Sequence, residues 1–240
     1  MAPKLLELCC GTRSISRAFQ ARGWRTTTVD IDPLASPDWC RDVRDITPGV
    51  GDFADWQPGA YAAVWASPPC QHYSIARSNA KTPRDLETAD AVAQACLRII
   101  TALQPAAFFV ENPGTGMLHK RPFMAPLNPP REVTYCSYLK PPTYRKLTHI
   151  WTNLGPEWEP RPICKKTKTA DHRCSPCRRL GRHPASAQKG PSYPNHRTLD
   201  QYSTRELHSI PRELCEQIAE AAERRAWARR ALNNLRREAP

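Results

Sequence analysis

Cys70 stands directly after Pro68 and Pro69, at the end of the apolar run Tyr61-Ala62-Ala63-Val64-Trp65. Paired prolines stiffen the backbone and remove two amide donors, so a strand cannot continue through them. The thiol is therefore expected in a rigid turn at the carboxyl edge of a strand, where open α/β sheets gather their ligands. A cysteine beside prolines is more often structural than chemical. Two further strand ends change that weighting. The run Phe108-Phe109-Val110 ends in Glu111-Asn112-Pro113, and Leu5-Leu6-Glu7-Leu8 ends in Cys9-Cys10-Gly11. Thiols and carboxyl groups at successive strand ends place the chemistry at the carboxyl edge of the sheet.

The elements that must position these groups alternate. Leu5 to Cys10 reads as a buried parallel strand, and Gly11-Thr12-Arg13-Ser14 as a turn. Ser14 or Ser16 is expected to cap a helix running through Phe19 towards Arg22, where Gly23 stops it. Trp24 to Ile31 is a second strand closed by Asp32-Pro33. The acidic residue ending it, Asp30 or Asp32, falls about twenty residues after the first turn, where nucleoside-binding folds place a carboxylate for ribose hydroxyls. The first turn holds one glycine and no phosphate-cradling fingerprint, so S-adenosylmethionine fits better than NAD. Asp42 to Ile46 is expected as a third, edge element. A long helix spans about Leu86 to Leu103, with Ala89, Val92, Ala93, Cys96 and Ile100 at helical spacing. Val133 to Cys136 and Thr148 to Thr152 read as a terminal antiparallel pair, and Arg205 to Leu235 as a helix led by Ile210-Pro211. The class is α/β, doubly wound. The expected divisions are 1–154, a catalytic domain; 155–205, a small basic Cys/His-containing insertion; and 206–240, a returning helix.

Composition bounds the partners. The chain has 240 residues, 40% of them hydrophobic, and a formal net charge of +12, which suits a polyanion and so nucleic acid. No stretch approaches the ~20 apolar residues of a membrane span. Met1 to Leu6 runs straight into a strand without a signal peptide's apolar region, so a cytoplasmic, monomeric protein with reduced or metal-bound cysteines is expected.

In order and spacing, Glu7-Leu8-Cys9-Cys10-Gly11, Pro68-Pro69-Cys70-Gln71 and Val110-Glu111-Asn112-Pro113 resemble the DNA cytosine-5 methyltransferase family, over about residues 5 to 152. The resemblance implies a Rossmann-like class I methyltransferase sheet, S-adenosylmethionine as cofactor and cytosine-containing DNA as partner. It implies that Cys70 adds to carbon 6 of a flipped-out cytosine while Glu111 holds the ring nitrogen and amine. Carried over, Glu7, Cys10, Gly11 and Thr12 would form the methionine end of the cofactor site, with Pro68 beside it. Asp30 or Asp32 would take the ribose, and Asp45-Ile46 the adenine. Tyr144-Arg145-Lys146 would be the arginine motif, with Arg145 facing the base's carbonyl oxygen. The chain departs from the pattern where Thr12-Arg13-Ser14 replaces further glycines, and where Leu147 stands in place of a second arginine. An RNA or other pyrimidine methyltransferase, a catalytically silent nucleic-acid-binding module and a zinc-stabilised adaptor are the alternatives.

Cys164, Cys174 and Cys177 form a second cluster. Cys174-Ser175-Pro176-Cys177 has the paired spacing of a zinc knuckle, and His183 or His172 would complete four ligands. The segment lacks apolar residues for a core, so a structural zinc ion would be a means of ordering it. The lysines and arginines between Lys165 and Arg182 suit phosphate contact, which would make this the DNA-reading element.

Overall fold

The computed structural model describes residues 2–75, 82–140, 144–164, 174, 178, 183, 185–186 and 204–238. His172, Cys177 and most of the basic run beginning at Lys165 lie outside the described residues. A seven-stranded sheet in the order β3-β2-β1-β4-β5-β8-β6 forms the centre, built from β1 (Lys4–Leu8), β2 (Arg25–Asp30), β3 (Trp39–Cys40), β4 (Ala63–Ala66), β5 (Ala107–Pro113), β6 (Arg131–Thr134) and β8 (Leu147–Thr152). β1 to β5 are mutually parallel, whereas β8 runs antiparallel to both β5 and β6. The order reverses between β1 and β4, which opens a crevice at their carboxyl ends. The sheet thus has the expected doubly wound, mostly parallel class I form.

Side-chain alternation splits the core into two layers. Leu5, Trp65 and Phe109 face helix α1 (Ser14–Gln20) and helix α4 (Arg212–Glu238), packing with Ile15, Phe19, Leu214 and Ile218. Leu6, Leu8, Val64 and Val110 face helix α2 (Leu86–Leu103), packing with Ala93, Cys96 and Ile99. α2 starts where Asp85 accepts from the Thr88 amide and stops at left-handed Gln104. Both ends match the sequence expectation.

Three expectations change. Neither Ser14 nor Ser16 caps α1; Arg13, in the left-handed region at φ 57°, precedes it with no side-chain cap. Asp42 to Ile46 holds a 3₁₀ turn (Val43–Asp45), and the edge strand is Trp39–Cys40. Asp42 accepts from the Arg44 amide, and that local bond favours a turn over a ladder. The last helical stretch is broken into α3 (Thr204–His208) and α4, because Pro211 cannot continue a helix. The antiparallel pairing of β6 with β8 is as expected, with Val133 opposite Thr148. A separate pair joins β7 (Tyr144–Arg145) to β9 (Ala185–Ser186). No described helix is long and apolar enough to cross a membrane.

Candidate active site

The carboxyl ends of β1, β2, β4 and β5 open onto a cleft of about 420 Å³. Its wall includes Cys70, Glu111, Glu7, Cys10, Gly11, Thr12, Asp30, Asp32 and Pro68, so nearly all of the sequence-predicted site residues meet there. Asp45, Ile46 and Arg145 do not line it. Ile46 is fully buried in the α2-side core, and the 3₁₀ turn instead presents Asp42, Val43 and Arg44 to the cleft.

Cys70 is held by its neighbours in sequence and by a core residue. Its carbonyl accepts from the Tyr73 and Ser74 amides at 3.1 and 2.9 Å, closing the turn. Tyr73 is fully buried, and its hydroxyl donates to Asp90 of α2 at 2.9 Å. Asp90 also receives the Arg121 guanidinium, so the turn is pinned to the helix through a charged acceptor. His72 accepts from the Asp85 amide at 2.9 Å, and Arg84 donates to the carbonyls of His72 and Ser74. Tyr73 is thus an anchor in the core.

The second strand end is tied to the first. Asn112, 1% exposed, donates from its side-chain amide to the Pro68 carbonyl at 2.9 Å. This bond crosses from β5 to the turn after β4 and fixes Glu111 relative to Cys70. Glu111 is buried, with Tyr135 donating to it at 3.5 Å and the Lys146 ammonium 4.0 Å away. That ammonium also sits 4.8 Å from the Tyr135 ring centre, over its face. Burial raises the Glu111 carboxyl above its ordinary value, and Lys146 works against that rise. Burial, then the Glu111 charge, push the Cys70 thiol up as well, again opposed by Lys146. Burial therefore disfavours the charged forms of both groups, and Lys146 favours them.

Lys146 is the site residue that the sequence argument missed. Arg145 points the other way, its Nε donating to the Cys164 carbonyl at 2.9 Å. Alternation along the chain turns adjacent side chains to opposite faces, so one of the two basic residues had to leave the cleft. No local signal separates the two, because Lys146 lies in the link between β7 and β8, outside the register that pairs β8 with β5.

At the cofactor side, Gly11 donates its amide to Asp30 at 2.8 Å, and the Asp32 amide takes the other Asp30 oxygen at 2.9 Å. Asp30 therefore shapes the loop. Asp32 accepts from Leu34 and stays exposed at the rim, beside Ile31, which is 65% exposed. Cys9, Gly11 and Arg13 all take left-handed backbone at φ 54°, 46° and 57°. Cys9 and Arg13 hold this backbone without being glycine, at a cost of about 1–2 kcal/mol each. Glu7 is 2% exposed, accepts from the Ser16 amide at 2.9 Å and from its hydroxyl, and is pushed up to about 7 by burial.

Cys164, Cys174 and His183 come together as expected, but the fourth described member is Cys136, from the 3₁₀ turn after β6. Their ligand atoms lie within 4.8 Å of one another, a group that could hold a metal ion.

Residues 4–122 match the family described as C-5 cytosine-specific DNA methylase. A Frog virus 3 (isolate Goorha) protein named "Probable DNA (cytosine-5)-methyltransferase" is 34% identical over 163 residues, covering 63% of this chain and 71% of that protein. Among solved structures, the Entamoeba histolytica methyltransferase EhMeth has a TM-score of 0.48 at 14% identity, over 68% of this chain and 56% of its own. A mutant of Spodoptera frugiperda DNMT2 has a TM-score of 0.45 at 19% identity, over 72% and 56%. The chain thus spans little more than half the length of these two solved structures. By its match to the viral relative and to the family's sequence pattern, this chain belongs to the C-5 cytosine-specific DNA methylases.

Proposed function

We propose that this chain is an S-adenosylmethionine-dependent DNA (cytosine-5-)-methyltransferase in which Cys70 bonds transiently to the base. The observation that carries the reading is the meeting of Cys70, Glu111 and Lys146 in one cleft, with Asn112 tying the two strand ends together. Carbon 5 of cytosine is a weak nucleophile. Cys70 Sγ loses its proton and bonds to carbon 6, which makes carbon 5 enamine-like. Glu111, whose neutral form burial favours, donates to ring nitrogen 3 and accepts from the exocyclic amine. Lys146 stabilises the charge that collects on the base and on the carboxyl. When bound, S-adenosylmethionine supplies an electrophilic methyl group. After carbon 5 takes it, loss of the carbon 5 proton and departure of the Cys70 thiolate restore the ring. Carbon 6 is inaccessible in a duplex, so the base must leave the stack.

The residues present fit that cofactor. Asp32 offers a rim carboxylate for ribose hydroxyls, exposed Ile31 and Val43 an apolar face for adenine, and the Gly11 turn a backbone cradle. In this reading residues 155–205 face DNA, the cysteines and His183 near Arg145 suit a structural zinc ion, and the protein works as a cytoplasmic monomer.

The test is transfer of tritiated methyl into duplex DNA, single-stranded DNA or RNA. Label at carbon 5 of DNA cytosine is expected; label confined to RNA would replace the substrate class. Cys70→Ala is expected to lower transfer by at least about 10⁴-fold and to lose the covalent adduct on 5-fluorocytosine DNA, with melting unchanged. An adduct that survives the substitution sinks the nucleophile assignment.

A further inference from the structure

Three segments with little apolar content of their own converge beside Arg145. Cys136 comes from the turn Tyr135–Ser137, Cys164 from the chain returning after β8, and Cys174 and His183 from the insertion. Cys136 and Cys164 are each 1% exposed, and among the described residues they form, with partly buried Cys174, a small cluster without an aliphatic or aromatic side chain. Thiols alone contribute little burial energy, so this junction has no ordinary core to hold it.

Its geometry is that of a coordination shell. The Cys164 and Cys174 sulfurs are 3.8 Å apart, and His183 Nε2 is 3.7 Å from the first and 3.2 Å from the second. A tetrahedral zinc ion, with Zn–S near 2.3 Å and Zn–N near 2.0 Å, requires edges of about 3.8 Å between sulfurs and about 3.5 Å from sulfur to nitrogen. A disulfide needs about 2.05 Å between sulfurs, far less than the 3.8 Å between Cys164 and Cys174. The supporting bonds a metal ligand needs are also present. The Cys164 amide donates to Thr134 Oγ1 at 2.9 Å, and the Cys164 carbonyl accepts from Arg145 Nε at 2.9 Å.

We infer that Cys136, Cys164, Cys174 and His183 bind one structural zinc ion, and that this ion clips strand β7 in place so that Lys146 reaches Glu111. His183 lies two residues before Ala185, which pairs with Tyr144. Arg145 braces the Cys164 carbonyl from the same strand. The next residue, Lys146, is the one that faces the cleft, and its carbonyl accepts from the Tyr135 amide, immediately before Cys136. Metal loop and base-handling cation are therefore separated by one peptide unit on either side. Arg145 is a positioning residue. The metal half of this inference stands alone; the positioning half rests on the reading of Cys70, Glu111 and Lys146 as the base-handling group.

Two measurements separate those halves. Metal analysis of the full-length protein is expected to give one zinc per chain, and cobalt(II) in its place the visible bands of a tetrahedral thiolate site. Cys136→Ser is expected to lower zinc content at least tenfold and to lose those bands, whereas Cys177→Ser retains both. Zinc-free wild type, a Cys164–Cys174 disulfide, or loss on Cys177→Ser with retention on Cys136→Ser would each overturn the ligand set. Cys70→Ala keeps its zinc, so failure of the methyl-transfer reading leaves this readout intact. For positioning, removing zinc by chelation or Arg145→Ala is expected to lower kcat at least tenfold, with Arg145→Lys restoring part of it. A rise in KM for DNA with kcat unchanged would overturn the clip, leaving the ion a role only in the insertion.

Discussion

Cys70 and Lys146 face one cleft, yet they are held there by opposite means. The Cys70 turn rests on packed core: Tyr73 is fully buried, Trp65 and Phe109 fill the layer beneath, and Asn112 closes the gap between strands. Lys146 sits where the apolar layers thin out, between a salt-bridge partner on one side and a cysteine cluster on the other. A core of side chains tolerates pH, salt and chelators well. A charged contact beside a metal-type cluster responds to all three. The nucleophile's side of the cleft is therefore expected to be robust, and the base-polarising side conditional.

The largest effect that could break this contrast is on Lys146. Lys146→Ala is expected to lower methyl transfer by about 10²–10³-fold, the usual loss of one preorganised electrostatic group. Lys146 opposes the burial that raises both Cys70 and Glu111, so removing it drives both ionisations to higher pH. The rising limb of the pH profile for adduct formation should move alkaline, and Lys146→Arg should bring it back. A profile that stays put would mean that Lys146 does not face this pair during the reaction.

Glu7 sharpens the contrast from the core side. Its carboxyl is raised from 4.5 to about 7, so the folded chain holds that proton more tightly than the unfolded chain. Stability from this group is complete below about 4.5 and is lost as pH rises through about 7, a difference of about 3 kcal/mol. Glu7→Gln keeps an acceptor for Ser16 and is expected to be flat across that window, overtaking the wild type in urea denaturation above pH 7. Parallel pH slopes for the two proteins would assign the dependence elsewhere.

Tyr73→Phe is the smallest change. It removes one buried hydrogen bond and leaves Asp90 paired with Arg121, so a loss of about 1 kcal/mol with nearly unchanged kcat is expected. If kcat instead falls by an order of magnitude, the bond and not the packing sets the position of Cys70.

What could be read in advance follows the same division. Glu7 and Glu111 lie near the carboxyl ends of β1 and β5, and Cys70 in the turn after β4, so the order of apolar runs alone places them at one sheet edge. The paired β6 and β8 and the span of α2 were legible for the same reason, a strong local pattern. Lys146 was missed because it approaches Glu111 from the link between β7 and β8, a through-space relation that no local pattern carries. Cys136 was missed because its partners lie in other segments, and spacing within Cys174–Cys177 drew attention to the nearer thiol. Arg13 as the residue before α1 was hidden by its left-handed backbone, which a serine-capped pattern does not reveal.

Strand β8 has a consequence for how the protein can vary in length. Because it runs against its neighbours, the chain enters it at the cleft, leaves at the far edge beside Phe109, and returns past Trp158 to Cys164 next to Arg145. The stretch from Cys164 to α3 thus starts at the cleft edge and ends there, since His208 lines the cleft. Residues added between those points, away from Cys174, His183 and β9, leave the register of the seven-stranded sheet as it is. Doubling such a loop costs only about 0.6 kcal/mol in closure entropy. Under the proposed function, a DNA-reading surface can grow or shrink there while the central sheet stays as it is.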